Sequence, residues 1–228
     1  MAIDDFLDKR DFRYEYKFPS HSLTKYELES LILLNPKGFS EIYYERFVNS
    51  LYFDDHNMKS YFENEAGLSE RVKIRVRWYG DLFGFIQEPI LEFKIKKNDL
   101  GSKASYPLKS FHFDQNFSAE KMREVFLASD LPLILKKELQ GMEFAVLTRY
   151  QRKYFLSFDE KFRFTIDSDI CFFQPQNFFS CFADRKITVI ELKFKQGDQE
   201  EAQRISSFFP LRRSKNSKYV LGVESRQY

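Results

Sequence analysis

Sulfur and imidazole are nearly missing from this sequence: its 228 residues hold two cysteines and three histidines. Cys171 and Cys181 are too few for a disulfide framework and lack metal-site spacing, so they read as reduced or core thiols, which favours a cytoplasmic location. His21, His56 and His112 stand far apart in unrelated contexts and read as surface or turn residues, and no GxSxG or Cys–His signature accompanies them. Glycine is scarce, with 8 residues, and forms neither a Walker-type GxxxxGKS/T nor a GxGxxG loop. No apolar run is long enough to span a bilayer, and the acidic start MAIDDFLDKR has no signal-peptide core. An excess of one charge is lacking too, since 36 basic and 34 acidic residues leave a net charge of +2. Coating nucleic acid or membrane by bulk charge is thereby disfavoured, and any anion site must be local.

Aromatic residues are abundant. With 27 Phe and 13 Tyr, strands are easier to draw than helices, and the composition leans towards a large antiparallel sheet or barrel. An apolar fraction of 43% suits a folded globular chain, and no Gly/Ser linker divides it, so a single domain over residues 1–228 is expected. Helices are expected after Ser22, where Thr24 and Glu27 have capping-box spacing, after Ser118, around LILKKEL, and after Asp198 with Glu201 three residues on.

The stretch SERVKIRVRWYG, residues 69–80, reads as a strand with Arg71, Lys73, Arg75 and Arg77 on one face and Val72, Ile74, Val76 and Trp78 on the other. Like charges at alternate positions repel, so the basic face is either a solvated ribbon or a surface waiting for an anion. The same design recurs: Arg13, Glu15 and Lys17 in RYEYKF, Glu92, Lys94 and Lys96 in LEFKIK, Lys161, Arg163, Thr165 and Asp167 in KFRFTID, and Glu191, Lys193 and Lys195 in IELKFK. The order KIRVRW then LEFKIK echoes KFRFT then IELKFK, which suggests two related halves closing one sheet.

If these strands close with the apolar faces outward under helices, the interior is lined with guanidinium and ammonium groups and a few carboxylates. Unpaired buried charge is too costly, so such an interior is wet and is completed by a polyanion, with a divalent metal bridging it to the carboxylates. Phosphate chains suit the fork of Arg, and phosphoryl transfer asks of a protein mainly positioning and charge stabilisation. On an open sheet, the same faces would be an ordinary solvated surface.

Eight segments in order, RYEYKF, VNSLYFDD, RVKIRVRWYG, LEFKIKKNDLGSK, RYQRKYF, FRFTID, VIELKF and SKNSKYVLG, resemble the polyphosphate polymerase domain of the vacuolar transporter chaperone (VTC) family, within the CYTH or triphosphate tunnel metalloenzyme superfamily. The resemblance covers nearly the whole chain. It implies an α+β fold: an antiparallel β-barrel, the triphosphate tunnel, with a charged lumen and helices packed on the outside. It also implies ATP as phosphoryl donor, inorganic polyphosphate or triphosphate as partner, and Mn2+ or Mg2+ as cofactor. By position, Lys17, Arg75, Arg77, Lys94, Lys103, Arg152, Arg163, Lys193, Lys215 and Lys218 would grip phosphates and Ser217 would add a hydroxyl. Arg75, Arg77, Lys94, Arg152, Arg163 and Glu191 would carry catalysis. Glu191 would hold the metal, with Glu15 either a second metal carboxylate or a partner for Arg13 and Lys17. Lys103 follows Gly101 in a stretch that reads as a loop, so its inward aim is implied by the resemblance alone. Membrane-bound members carry transmembrane helices and a phosphate-sensing domain that do not appear in this sequence, so a free-standing domain is expected.

Three functions compete. A metal-dependent polyphosphate polymerase leads. A triphosphate hydrolase would be favoured by a full ExExK on the first strand, where this sequence has Arg13 in place of the first acid. A non-catalytic barrel that captures polyphosphate or single-stranded RNA would place aromatics on the basic faces. Tyr14, Tyr16, Phe93, Phe162 and Phe164 lie on the opposite faces and read as core, so no nucleic-acid partner is expected.

Overall fold

The period-two alternation does produce strands, and their pairing closes on itself. The computed structural model describes residues 12–175, 177–184 and 187–225; the acidic stretch at residues 1–10 lies outside them. The first half holds β1 (Arg13–Ser20), α1 (Lys25–Leu33), β2 (Phe39–Asp54), α2 (Lys59–Glu65), β3 (Glu70–Tyr79), β4 (Gly84–Ile86), β5 (Ile90–Lys97), β6 (Leu100–Pro107) and β7 (Phe111–Phe113). The second holds α3 (Ala119–Ala128), α4 (Leu133–Gln140), β8 (Glu143–Ser157), β9 (Arg163–Gln174), β10 (Asn177–Asp184), β11 (Thr188–Lys195), α5 (Gln199–Ser207) and α6 (Lys218–Glu224). The sheet order is β10-β9-β11-β1-β6-β5-β3-β2-β8, and β8 pairs back onto β9. Eight strands from β9 round to β8 therefore form a closed antiparallel ring, with β10 added at the edge and β4–β7 a separate small pair.

Local chemistry sets the boundaries. Thr24 and Glu27 form the expected capping box, with Glu27 N–H donating to Thr24 Oγ1 at 3.3 Å and Thr24 N–H to Glu27 Oε2 at 2.7 Å. Ser118 caps α3. The β5–β6 hairpin turns on two residues, Asn98 and Asp99, with Asn98 at φ +54°, a left-handed conformation that Asn tolerates. Because that turn is so short, β6 starts at Leu100 and Lys103 lies on a strand directly opposite Lys94, not in a loop. The echo between halves holds for adjacency but not for register. Arg75 faces Glu92 in the β3–β5 pair, whereas Thr165 faces Glu191 and Arg163 faces Lys193 in the β9–β11 pair.

The outward faces are the core. Phe18, Phe164 and Leu192 pack under Leu28 and Ile32 of α1 and Ile205 of α5, while Trp78, Phe93 and Phe113 pack with Met122 of α3 and Leu135 of α4. Each such fully buried side chain contributes about 1.5–3 kcal/mol. Helices on the outside is thus correct for α1, α3, α4 and α5. It fails for α6, which covers one end of the ring. There the inward-facing Val48, Tyr52, Val146, Tyr150 and Val189 pack against Tyr219 and Val223 of α6. The interior is therefore filled at this end and open to solvent further along. Among the described residues, no helix is long and apolar enough to cross a membrane.

Gly222 is what lets α6 approach this closely: a Cβ there would lie 2.7 Å from Phe172 Cδ1 and 2.8 Å from Val146 Cγ2. Gly222→Leu is expected to cost about 3 kcal/mol by overpacking, seen as a fall of roughly 6–12 °C in melting temperature. Gly141→Ala, where nothing lies within 4 Å of the new Cβ, is expected to stay within about 0.5 kcal/mol of the parent.

Candidate functional site

The ring encloses a cavity of about 1820 Å³ whose wall is built from the charged faces of β1, β3, β5, β6, β8, β9 and β11 and from the segment leading into α6. Each strand contributes alternate residues: Glu15 and Lys17 from β1, Lys73, Arg75 and Arg77 from β3, Lys94 from β5, Lys103 from β6, Arg152 from β8, Arg163 from β9, and Glu191 and Lys193 from β11. Lys215, Ser217 and Lys218 enter from the C-terminal side. All the residues expected to form the site are thus brought to one cavity.

Three carboxylate-centred clusters organise the wall. At the first, Glu92, only 2% exposed, receives Arg75 Nε at 2.8 Å, Arg75 Nη2 at 2.7 Å and Lys103 Nζ at 2.7 Å, with Arg77 Nη1 at 3.6 Å. Burial alone would raise the Glu92 carboxyl, but Arg75, Arg77 and Lys103 outweigh it and hold it far below the usual range. Arg75 in turn is held above the ordinary guanidinium value: its burial is outweighed by Tyr52 and Glu92.

At the second, Arg152 Nε and Nη2 donate to the two oxygens of fully buried Asp167, both at 2.5 Å, and Lys218 Nζ donates to the same carboxylate. This bidentate pair fixes the Arg152 plane and points Nη2 at Glu191 Oε2, 3.5 Å away. Burial opposes the Asp167 charge, but Arg152 and Lys218 lower its carboxyl overall.

The third cluster joins β1, β5 and β11. Lys17 Nζ lies 3.1 Å from Glu15 and 3.2 Å from Glu191, and also donates to the Asn216 carbonyl at 2.8 Å. Lys94 bonds both oxygens of Glu15 at 3.1 Å, and Lys193 lies 3.3 Å from Glu191 and 3.8 Å from Glu15. Burial works against Glu15 and Glu191, yet the surrounding ammonium groups keep both carboxyls well below the usual range. Lys17, despite burial, is pushed up by Glu191 and Glu15. Lys94 goes the other way: burial pulls it down to about 8, with Glu15 opposing. Lys73 is lowered well below the ordinary lysine value by burial and by Lys94, Lys17 and Arg71 around it.

Several expectations are thereby refined. Glu15 partners Lys17, Lys94 and Lys193, so the ion-pair role foreseen for it is real and wider than expected. Lys218 is buried on Asp167. Lys215 and Arg163 line the cavity but are exposed, and among the described residues neither forms an ion pair within 4 Å. Ser217 Oγ is already engaged, accepting from Lys73 Nζ at 2.8 Å and capping α6 through Val220 N–H at 3.4 Å. Arg71 bonds Asn64 Oδ1 at 3.1 Å and the Leu68 carbonyl, away from the clusters. The histidines are all exposed. Neither cysteine forms a disulfide, and Cys181 is exposed on β10, outside the ring, so it is not a core thiol; its Sγ lies 3.0 Å from that of Cys171.

Sequence reasoning missed Glu92 and Asp167 as members of the site. Their signal was present, an acid in the basic row of each strand, but which acid is buried as an anchor and which faces the cavity depends on cross-strand neighbours. It also missed Tyr52 and Tyr150, whose hydroxyls accept from Arg75 Nη1 at 3.0 Å and Arg77 Nη2 at 3.2 Å.

The VTC domain family matches residues 12–226. None of the curated proteins matches the chain in sequence. Among solved structures, a Vibrio parahaemolyticus protein put forward as an adenylate cyclase is similar with a TM-score of 0.53 at 12% identity, over 91% of this chain and 97% of that one. A protein from Pyrococcus horikoshii OT3 is similar with a TM-score of 0.54 at 14% identity, over 94% of this chain and 99% of that one. At such identities the likeness is one of fold.

Two outcomes follow from the clusters. Removing the central anion, Glu92→Gln, leaves Arg75 and Arg77 buried without their counter-charge and is expected to cost about 3–5 kcal/mol in chemical denaturation at pH 7. In the parent, Glu15, Glu92, Asp167 and Glu191 all have folded values below their unfolded ones. Their stabilisation is therefore complete above the ordinary carboxylate values of 4.5 for Glu and 3.8 for Asp and is lost as pH falls below them. Melting temperature should be level near neutral pH and drop steeply under acid; a level acid limb would mean that these ion pairs add nothing.

Proposed function

This chain belongs to the VTC domain family, and from that premise we propose that it is a metal-dependent polyphosphate polymerase, moving the γ-phosphoryl group of ATP onto a growing inorganic polyphosphate chain inside a triphosphate tunnel. The observation that carries the reading is the enclosed cavity in which Lys17, Lys73, Arg75, Lys94, Arg152 and Lys193 converge. Its volume of about 1820 Å³ exceeds the roughly 300–1,000 Å³ of an ordinary small-molecule pocket. A chain of phosphates suits that length and charge better than a single ion.

Phosphoryl transfer needs reactants held in line and charge stabilised where it develops. Arg75 and Arg152 are pre-oriented by Glu92 and Asp167, so their remaining N–H groups meet phosphate oxygens without reorganisation. Lys94 and Lys193 exchange carboxylate partners for phosphate oxygens. Arg77, braced by Tyr150, contributes charge from the floor of the cavity, while Lys103, Arg163, Lys215 and Lys218 extend the phosphate path.

Among the described residues, no cluster of three or more His, Cys, Asp or Glu gathers as a complete metal site. Glu15 and Glu191 nevertheless already meet at one cation, Lys17 Nζ, which also donates to the Asn216 carbonyl. That all-oxygen set fits Mg2+ or Mn2+, which takes one or two carboxylates and fills its shell with phosphate oxygens and water. A divalent ion held by Glu191 and Glu15 would supply the positive charge that bridges neighbouring phosphate oxygens. The reading places the reaction in the cytoplasm, where thiols such as Cys171 and Cys181 stay reduced.

The purified protein, incubated with ATP and Mn2+ with and without a short polyphosphate primer, is expected to give a ladder of chains on a polyphosphate-stained gel together with ADP. Glu191→Gln and Arg75→Ala are expected to abolish the ladder while far-UV circular dichroism is kept. Free phosphate without chains would make the protein a triphosphate hydrolase; tight triphosphate binding without turnover would make it a polyphosphate-binding domain.

Protonation gives an independent check. Lys94 is charged below about 8, and a bound polyanion favours the charged form. Tripolyphosphate affinity measured by calorimetry should therefore weaken progressively as pH rises above 8, and Lys94→Met should flatten that dependence.

A further inference from the structure

The ion clusters leave one stretch of cavity wall unbalanced. Arg46 on β2 lies directly opposite Arg152 on β8, an arrangement of like charges that is unfavourable unless each has a counter-charge. Arg152 has Asp167. Among the described residues no carboxylate pairs with Arg46: its guanidinium lies over the rings of Tyr79 at 4.1 Å, Tyr154 at 5.1 Å and Tyr43 at 5.4 Å. Its buried Nε has no hydrogen-bond partner.

Thr165 stands beside this group. It is the cross-strand neighbour of Tyr154 on one side and of Glu191 on the other, it lines the cavity at 2% exposure, and its Oγ1 also lacks a partner. A buried hydroxyl without a partner costs stability, and valine would fill the same space without that cost. Two unsatisfied donors on either side of one tyrosine, next to the carboxylate read as the metal ligand, have a common missing acceptor.

We propose that Arg46 and Thr165, flanking Tyr154, form an oxyanion subsite that takes a phosphoryl oxygen of the bound phosphate chain next to Glu191. The assignment rests on reading the cavity as a phosphate site and adds two contacts to it. Arg46 supplies charge that no carboxylate quenches; Thr165 donates its hydroxyl hydrogen. Tyr154 packs against Arg46 through its ring and pairs across the strands with Thr165, so it stands between the two groups.

The test uses the full chain and tripolyphosphate, with affinity by calorimetry and stability by thermal melting. Thr165→Val is expected to lose about tenfold in affinity, the effect of one hydrogen bond to a charged group, while melting at the parent temperature or higher. Thr165→Ser keeps the hydroxyl and should bind like the parent. Arg46→Met keeps the stem over the rings and should lose tenfold or more. If both Thr165→Val and Arg46→Met bind like the parent, or only one is weakened, the shared subsite does not exist. If the parent itself binds no tripolyphosphate, the phosphate reading of the cavity falls first and this assignment falls with it.

Discussion

Cations crowded onto the inside of a closed sheet can stay there only if anions are placed among them. Lys73 and Lys94 are directly opposite one another, as are Lys94 and Lys103. At 4 Å, two like charges repel by about 4 kcal/mol even at an effective dielectric of 20. Glu15, Glu92, Asp167 and Glu191 answer this constraint, each touching at least two cations. The acid in each basic row is therefore structural before it is functional. Without it the strands carrying Arg75, Lys94 and Arg152 would close side by side only at a cost in stability.

The same constraint divides the interior in two. Where inward positions are Val48, Val146 and Val189, the ring is sealed by Tyr219 and Val223 of α6 and behaves as core. Where they are Lys, Arg and Glu, it is wet. The helix that seals the one delivers Lys218 to the other, and its Tyr219 hydroxyl donates to Asp54, whose carboxylate also accepts from Ser60 and Tyr61 N–H at the start of α2. Packing at the closed end thus sets the position of a cation about one turn away, and α6 couples stability to the site although it is short.

Much of this was legible in sequence because strands obey a period of two. RYEYKF, RVKIRVRW, LEFKIK, FRFTID and IELKF each state which residues face in, and the structure agrees for Lys17, Arg75, Lys94, Arg163 and Glu191 alike. Helix starts at Thr24 and Ser118 were legible through their caps. What stayed hidden is cross-strand information. Nothing local says that Glu92 is the anchor under Arg75 and Arg77 while Glu15 joins the ammonium groups of Lys17, Lys94 and Lys193, that Asn98–Asp99 is a two-residue turn which places Lys103 opposite Lys94, or that an interrupted segment after SKNS packs as a helix over the ring's end. Arg46 was invisible for the same reason: in YYERFV it stands beside Glu45 in an aromatic stretch with no basic row, and only its register with Arg152 and its enclosure by three tyrosines set it apart.

Because most cations already have partners, the cavity is closer to neutral than its count of basic residues suggests, and this bears on what it can select. A small monovalent anion meets one uncompensated cation, or displaces one carboxylate from an ammonium group, and gains little either way. A phosphate chain, the ligand proposed above, would contact many cations at once and would also reach groups that carboxylates leave uncompensated: Lys73, lowered in pKa by burial and by its basic neighbours, and the exposed Lys215 and Arg163. Selectivity for several linked charges over single ones then follows from the pairing of the empty site and needs no contact specific to phosphorus. In the proposed reading, carboxylates released as their ammonium partners turn to phosphate would be left facing the ligand, and a divalent cation would reconcile them with it.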